Sequence, residues 1–337
     1  VSGTTGDIHM GTRVDVIIPT LNAESFISEA LESVLAQEAL GNVFVVDNGS
    51  TDRTVAIASG FTGVSVLLDN RPGANYARNT GLEYTKRRFV KFLDADDILE
   101  PGCLQTQLSC AEQAPESGII FSDYRLKRNG KCSFVSRKGL CHRESECSQL
   151  AEIIWNNIPI SSPLYPVNKL KAVGGFDIKL KSRQEWNLNA RLSLNGCTFI
   201  HCGGLSFVQR VHTSSQRISN RPLDFEREMQ TLTRAIAPMR GLKDDRVRDA
   251  LAGYVWNTGI RFIWNGTPKD SRPFFELAKS IEAHDMHRRQ KRYRRTFYSL
   301  FGHERGEIAL TRVAAAKRAL LRLREQALSG CRMCETR

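Results

Sequence analysis

Phe89-Val-Lys-Phe-Leu-Asp-Ala-Asp-Asp-Ile98 is a short apolar run that ends in three carboxylates, Asp94, Asp96 and Asp97. A β-rich run of this length, bounded by charge, reads as a buried strand whose carboxyl end opens at a surface. Strand residues i and i+2 point the same way, so Asp94 and Asp96 can share one hard divalent cation. An isolated Asp-x-Asp is more often an acidic turn that closes a strand, so its surroundings decide.

Working upstream, Val14-Asp-Val-Ile-Ile-Pro19 is a β-branched run stopped by proline. Thr20-Leu-Asn22 follows, and Phe26, Ile27, Ala30, Leu31, Val34 and Leu35 then recur at helical spacing between Ser25 and Gln37. Val43-Phe-Val-Val46 leads into the turn formers Asp47-Asn-Gly-Ser-Thr-Asp52 and a short helix around Val55 to Ser59. Val64-Ser-Val-Leu-Leu68 is a third strand, and a third helix runs from Ala74 to Lys86 after the Pro72-Gly73 breaker. Strands alternating with helices, three of them almost continuously apolar, predict a parallel sheet covered on both faces. Ligands of such sheets bind at the carboxyl ends of the strands. Thr20, Asn22 and Glu24, Asp47 and Asn48, and the three carboxylates should therefore converge on one edge.

Downstream, a helix from Pro101 to about Ala114 and a strand from Gly118 to Tyr124 are expected, then a polar hairpin and loop to Cys147. Residues 150–157 read as helix, and three prolines make 158–166 extended. Gly174-Gly-Phe-Asp177 is a turn into a basic loop (Lys179, Lys181, Arg183) that is expected to be mobile. A helix from Gln184 to about Asn195 precedes short strands near Cys197 to Cys202 and Leu205 to Val211. From Arg221 the pattern is helical, broken at Gly241, Gly266-Thr-Pro268, Pro273 and Gly302.

The 337 residues are 41% hydrophobic and 25% charged, ordinary for a globular chain. No run approaches about eighteen uncharged apolar residues, so no transmembrane helix is expected, and the start lacks a signal-peptide pattern. The expected compartment is the cytoplasm. Residues 1–12 read as a flexible lead. Nine cysteines, an odd and scattered count, argue against a disulfide framework. Neither Cys141-His142 with Cys147 nor Cys331-x-x-Cys334 has the second pair of ligands that zinc needs. The net charge of +12 divides into +1 over residues 1–220 and +11 over 221–337, which implies two regions.

Five motifs together resemble glycosyltransferase family 2, the large inverting GT-A family. They are Val16-Ile-Ile-Pro-Thr-Leu-Asn22, Val45-Val-Asp-Asn-Gly-Ser-Thr-Asp52, Ala77-Arg-Asn-Thr-Gly81, Phe92-Leu-Asp-Ala-Asp-Asp97 and Val173-Gly-Gly-Phe-Asp177. The resemblance spans roughly residues 14 to 215 and implies an α/β GT-A fold, Rossmann-like with a mostly parallel central sheet flanked by helices. It also implies a nucleotide-sugar-binding half (13–125) and an acceptor-binding half (126–220), whereas 221–337 is read from composition alone as a basic helical C-terminal extension. Asp-x-Asp would hold Mn²⁺ or Mg²⁺ against a diphosphate, with Asp96 as the main ligand, Asp94 assisting or meeting the ribose, and Asp97 in support. Pro19, Thr20 and Glu24 would line the base and ribose pocket.

Several positions keep two readings. Asp47 either accepts from a uracil-type ring, as the resemblance implies, or caps its Asp-Asn-Gly turn. Arg78 either approaches the diphosphate or pairs on its helix. The family's base is an aspartate in a Glu-Asp pair, and here Gln184-Glu185-Trp186 stands in that place. Glu185 can take the acceptor proton with one methylene more of reach, or it is a helix-start glutamate favoured by the macrodipole. Trp186 is a stacking wall for an acceptor sugar or part of the core. His212 matches a family histidine able to reach the metal or diphosphate, or it is structural.

His287-Arg-Arg-Gln-Lys-Arg-Tyr-Arg-Arg-Thr-Phe-Tyr-Ser-Leu-Phe301 holds six Arg and Lys residues. It reads as a solvated face, as attachment to an anionic membrane surface at the inner face of the cell membrane, or as a nucleic-acid contact; the membrane is the favoured functional reading. The expectation is metal-dependent, inverting transfer from a UDP-sugar to a glycan or lipid-linked acceptor in cell-surface polysaccharide assembly. The rival is a non-catalytic GT-A-like binding protein whose basic tail engages membrane or nucleic acid. A dehydrogenase is excluded for want of Gly-x-Gly-x-x-Gly after the first strand.

Overall fold

In the computed structural model β1 (Val14–Thr20) is buried along its whole length, as expected of a strand covered on both faces. Its side chains alternate between two cores. Val14, Val16 and Ile18 join the layer that contains Ile27, Leu31, Leu104 and Leu108, whereas Ile17 joins the layer that contains Ala77, Leu82, Leu188 and Leu192. The strand period of two thus places one helical layer on each face. The structure describes residues 13–137, 149–212, 222–265, 267–286, 305–306 and 309–310. The predicted lead at 1–12, the Cys141, Cys147 and Cys331–Cys334 groupings and the basic run 287–301 lie outside them.

The elements that build the predicted ligand edge follow the expected alternation. Helix α1 (Ile27–Leu35), β2 (Leu40–Asp47), α2 (Thr54–Ser59), β3 (Val64–Leu68), α3 (Ala74–Tyr84) and β4 (Phe89–Phe92) succeed one another. Strands β3, β2, β1 and β4 lie side by side and parallel, with Thr20 opposite Asp47 and Ile17 opposite Phe92. Helix α3 reaches β1 closely at Gly81, where a Cβ would lie 2.5 Å from Ile17 Cγ2. An alanine there would overpack the layer, at a cost of about 1–3 kcal/mol.

Beyond β4 the sheet is mixed rather than mostly parallel. The two-residue strand β5 (Ile98–Leu99), helix α4 (Cys103–Gln113), the long strand β6 (Gly118–Arg128) and β7 (Lys131–Val135) come next. Helix α5 (Gln149–Asn156), β8 (Leu164–Pro166), α6 (Val167–Ala172), α7 (Gln184–Leu194) and β9 (Thr198–Val211) complete the first unit's order. Strand β8 pairs antiparallel with β4 and β6, β7 with β6 and β5 with β9; β6 and β9 are parallel. Of these pairs only β6 and β7 are joined by a short connection, which can return only antiparallel. The predicted pair of strands at 197–211 is a single strand with two successive left-handed glycines, Gly203 (φ 71°) and Gly204 (φ 68°), where its register against β6 shifts.

Two compact units are present, residues 1–222 with 230–239, and residues 223–229 with 240–337. The second holds the first turn of α8 (Phe225–Ile236), with α9 (Asp245–Trp264) and α10 (Arg272–Lys279). Its core stacks Trp256 on Phe275 (4.0 Å between centroids) and Phe262 on Phe274 (5.0 Å). Pro273 begins α10 rather than breaking a helix, a position where its missing N–H has no helical partner to lose. Among the described residues no helix is long and apolar enough to cross a membrane.

Candidate active site

The carboxyl ends of β1 and β2 are laced together through the Asp47-Asn-Gly-Ser-Thr-Asp52 loop. The N–H of Asn22, itself left-handed at φ 50°, donates to Ser50 Oγ (2.9 Å), and the N–H of Thr51 returns a bond to Asn22 Oδ1 (2.8 Å). Ala23 N–H donates to Thr54 Oγ1, Glu24 N–H to Asp52 Oδ2, and Arg53 N–H to Glu24 Oε2 (2.8, 3.1 and 3.1 Å). These polar loop residues are needed because neither loop has a strand to satisfy its amides.

Asp47 is buried and receives four donors: Thr20 Oγ1, Ser50 Oγ and the N–H groups of Gly49 and Ser50. Four donors fill the acceptor sites of a carboxylate, so Asp47 caps its turn and would meet a base only by exchanging one of them. Thr20 and Pro19 are buried beside it at the end of β1, and Glu24 is half-buried against Arg53.

The three carboxylates after β4 gather as expected. Asp94, Asp96 and Asp97 each offer a ligand atom, and these atoms all lie within 4.8 Å of one another. Asp94 Oδ1 accepts from Arg78 Nη2 (2.7 Å) and Asp96 Oδ2 faces His212 Nε2 (2.9 Å). The other oxygen of each has no partner among the described residues. Asp97 is buried, and its oxygens accept from Ser161 Oγ (3.0 Å) and Arg210 N–H (3.2 Å). Burial, then the charges of Asp96 and Asp94, push its carboxyl well above the usual range. An all-oxygen set with one imidazole at its margin suits a hard Mg²⁺ or Mn²⁺ ion, and a cation would relieve the crowding of negative charge. The residues therefore fit the implied metal.

Arg78 joins this cluster to the head of α7. Its second terminal nitrogen, Nη1, donates to Gln184 Oε1 (3.1 Å), next to Glu185, and its guanidinium lies 5.3 Å from the Phe176 ring centroid. Glu185 is half-buried, with Oε1 accepting from Asn157 Nδ2 (3.0 Å). Trp186 is core, fully buried with its indole N–H bonded to Ile154 O, which removes the sugar-stacking reading.

The Gly-Gly-Phe-Asp turn is held by α3. Asn79 accepts from Phe176 N–H (2.8 Å) and donates to Phe176 O (2.9 Å), while Asn75 donates to Asp177 O and Leu180 O. Gly175 is left-handed, and a Cβ there would lie 2.6 Å from Asn79 Oδ1. The loop expected to be mobile is thus pinned, with Leu180 buried; its three cationic side chains gave no sign of this.

Three contributions escaped the sequence reading. Asp69, at the end of β3, is clamped by Arg71 (2.9 and 2.8 Å) and Thr80 (2.6 Å), although its place at the ligand edge could have signalled it. Arg210 donates to Asp96 O, Phe26 O and Glu29 Oε2. Ser161 reaches both Asp94 and Asp97. The last two are separated from their partners by more than sixty residues, beyond any local pattern.

Residues 15–138 match the model of glycosyl transferase family 2. YibD, an uncharacterized glycosyltransferase of Escherichia coli K12, is 33% identical over 262 residues, 70% of this chain and 73% of its own. WfgD of Escherichia coli, a UDP-Glc:alpha-D-GlcNAc-diphosphoundecaprenol beta-1,3-glucosyltransferase, is 41% identical over 120 residues, 34% of this chain and 47% of its own. The matched segments span 57%, 23% and 47% of three other curated relatives' lengths, WfgD included. Staphylococcus aureus TarS residues 1–349, solved with UDP-GlcNAc, superposes with a TM-score of 0.69 at 17% identity over 90% of this chain and 92% of that one. That likeness places the fold among GT-A enzymes.

Proposed function

The chain belongs to glycosyl transferase family 2, and from that membership we propose that it transfers a sugar, with inversion, from a UDP-sugar to a glycan or lipid-linked glycan in cell-surface polysaccharide assembly. The observation that carries this reading is Arg78, whose two terminal nitrogens touch Asp94 on the donor edge and Gln184 beside Glu185. One buried cation thereby brings the diphosphate end of the site and the candidate base into a single arrangement. The UDP donor is supported by the UDP-Glc that WfgD uses and by the UDP-GlcNAc in the TarS complex.

In this reading Pro19, Thr20, Glu24 and the loop capped by Asp47 hold the nucleoside, and Asp96 and Asp94, with His212 beside them, hold the cation. A bound Mn²⁺ or Mg²⁺ supplies stabilisation of the negative charge that grows on the departing diphosphate. Glu185 takes the proton of the acceptor hydroxyl as that oxygen bonds the anomeric carbon from the face opposite the diphosphate. The bond from carbon to the diphosphate oxygen breaks, and the nucleoside diphosphate leaves. Arg78 holds the Asp94 carboxylate in place and fixes the α7 head, so that base and leaving group keep their separation.

The test is release of nucleoside diphosphate from a panel of UDP- and GDP-sugars with Mn²⁺ or Mg²⁺, for wild type and Asp96→Ala. Metal-dependent release that is lost in the variant supports the proposal; no release from any donor, with UDP unbound, overturns it. The six cationic residues of 287–301 support a further part of the reading, contact with an anionic membrane surface. Sedimentation with anionic but not neutral vesicles, reversed by salt, is the expected result, and no difference between the two vesicles removes it.

A further inference from the structure

Beneath the acidic site lies a buried polar strut that the proposed chemistry does not use. Lys91 sits on β4, three residues before Asp94, and has no exposed surface. A buried ammonium costs several kcal/mol unless it is fully hydrogen-bonded. Here its three N–H groups meet three acceptors: Gln107 Oε1 (2.7 Å), Ser162 O (2.7 Å) and Ser206 Oγ (3.0 Å). Gln107 Nε2 adds a bond to Ser162 O (2.8 Å), and Ser162 Oγ donates to Ser122 O (2.8 Å). Ser206 Oγ is also within bonding distance of Ser161 O (3.2 Å). Strand β4, helix α4 and strand β9 therefore grip the same dipeptide, Ser161-Ser162, which Pro163, directly after it, and Pro159, two residues before it, stiffen further.

The grip has a direction. Ser161 Oγ accepts from the N–H of Asp94 (3.2 Å) and donates to Asp97 Oδ2 (3.0 Å). A single buried hydroxyl thus ties both ends of the turn that carries Asp94 and Asp96. The carboxylate it holds, Asp97, also accepts from the N–H of Arg210, whose own guanidinium Nε donates to Asp96 O. We infer that Ser161 is a positioning residue for the cation-binding carboxylates, and that Lys91, Gln107 and Ser206 form the strut that fixes it. Replacing buried charge with well-packed apolar residues is often neutral or stabilising, so stability alone does not account for the strut. The inference rests on the metal reading above.

The test is Mn²⁺ binding followed by electron paramagnetic resonance, with UDP present throughout, well below the melting temperature of each variant. Ser161→Ala is expected to bind Mn²⁺ about 10–100-fold more weakly, as loss of an outer hydrogen bond to a ligand set does. A role in packing alone lowers the melting temperature and leaves the dissociation constant of the folded chain unmoved, which overturns the inference. Should Ser161→Ala not fold, Ser206→Ala removes one bond of the strut and keeps the Ser161 hydroxyl. It is expected to weaken Mn²⁺ several-fold, and wild-type affinity there overturns the inference equally. Wild-type chain that takes up no Mn²⁺ overturns the metal reading and this inference together, whereas tight wild-type binding matched by Ser161→Ala overturns this inference alone.

Discussion

His212 Nε2 lies 2.9 Å from Asp96 Oδ2, and the His212 imidazole is stacked on Phe26 with centroids 4.5 Å apart. Phe26 in turn lies under the Arg210 guanidinium, 5.1 Å away, whose Nε donates to Asp96 O. Side chain and backbone of Asp96 are thus both fixed from the end of β9, and the ring is held against the start of α1. The expected outcome is a graded loss of Mn²⁺ affinity. Asp96→Ala abolishes binding, and His212→Ala weakens it about 10–100-fold by freeing the carboxylate to turn. Calorimetric titration decides, and His212→Ala with wild-type affinity removes His212 from the cation site.

Glu185 enters at the head of α7 behind Arg183, which is left-handed at φ 58°. Asn157 Nδ2 occupies one of its oxygens at 3.0 Å, which leaves the other to accept a proton. Glu185→Gln keeps the shape and removes the basicity. Turnover is expected to fall about 10²–10⁴-fold while the dissociation constant for UDP stays unchanged. Equal rates in variant and wild type would reassign the base.

Arg78 spans two acceptors on different elements, Asp94 Oδ1 at 2.7 Å and Gln184 Oε1 at 3.1 Å. The planar fork of guanidinium allows this, whereas lysine is a single point charge. Arg78→Lys should keep one contact and let the other drift. A displacement of about 1 Å at a reacting centre costs on the order of 10²-fold, so kcat is expected to fall by about that factor with secondary structure retained. Steady-state kinetics beside circular dichroism measure both, and an unaltered kcat separates Arg78 from the chemistry.

The first half of the sheet was legible because parallel strands buried on both faces must be almost continuously apolar, as Val14–Pro19 and Val43–Val46 are. The end of each strand was marked by turn formers, which located Thr20, Asp47 and Asp94 at one edge. Strand β5 was missed because two residues carry no period. Helix α6 was missed because the prolines before it dominated the reading, and β9 was divided because its two glycines look like a turn. The roles of Ser161, Arg210 and Lys91 depend on partners far away in sequence, such as Gln107 and Ser206 for Lys91. Trp186 illustrates the same limit: residue type permits a stacking wall or a core, and only its burial against Ile154 O separates them.

Asp69 offers a pH-dependent test of the loop that leads into α3. Its carboxylate takes paired bonds from Arg71 and one from Thr80, while its carbonyl and that of Arg71 accept from Asn48. The Arg71 bonds hold its carboxyl far below the usual carboxylate range, against the opposing effect of burial. A carboxyl depressed by folding contributes stability that is complete above its unfolded value, about 3.9, and is lost as pH falls toward the folded value. Asp69→Asn should therefore be less stable than wild type by about 1–2 kcal/mol near neutral pH, a modest figure because Arg71 is half exposed and screened. The difference should hold constant from neutrality down to about pH 5 and narrow progressively below about pH 4. Thermal melts of both proteins across that range measure it. A gap of the same size at about pH 3 as at neutrality would mean that the bonds to Arg71 do not depend on the Asp69 charge.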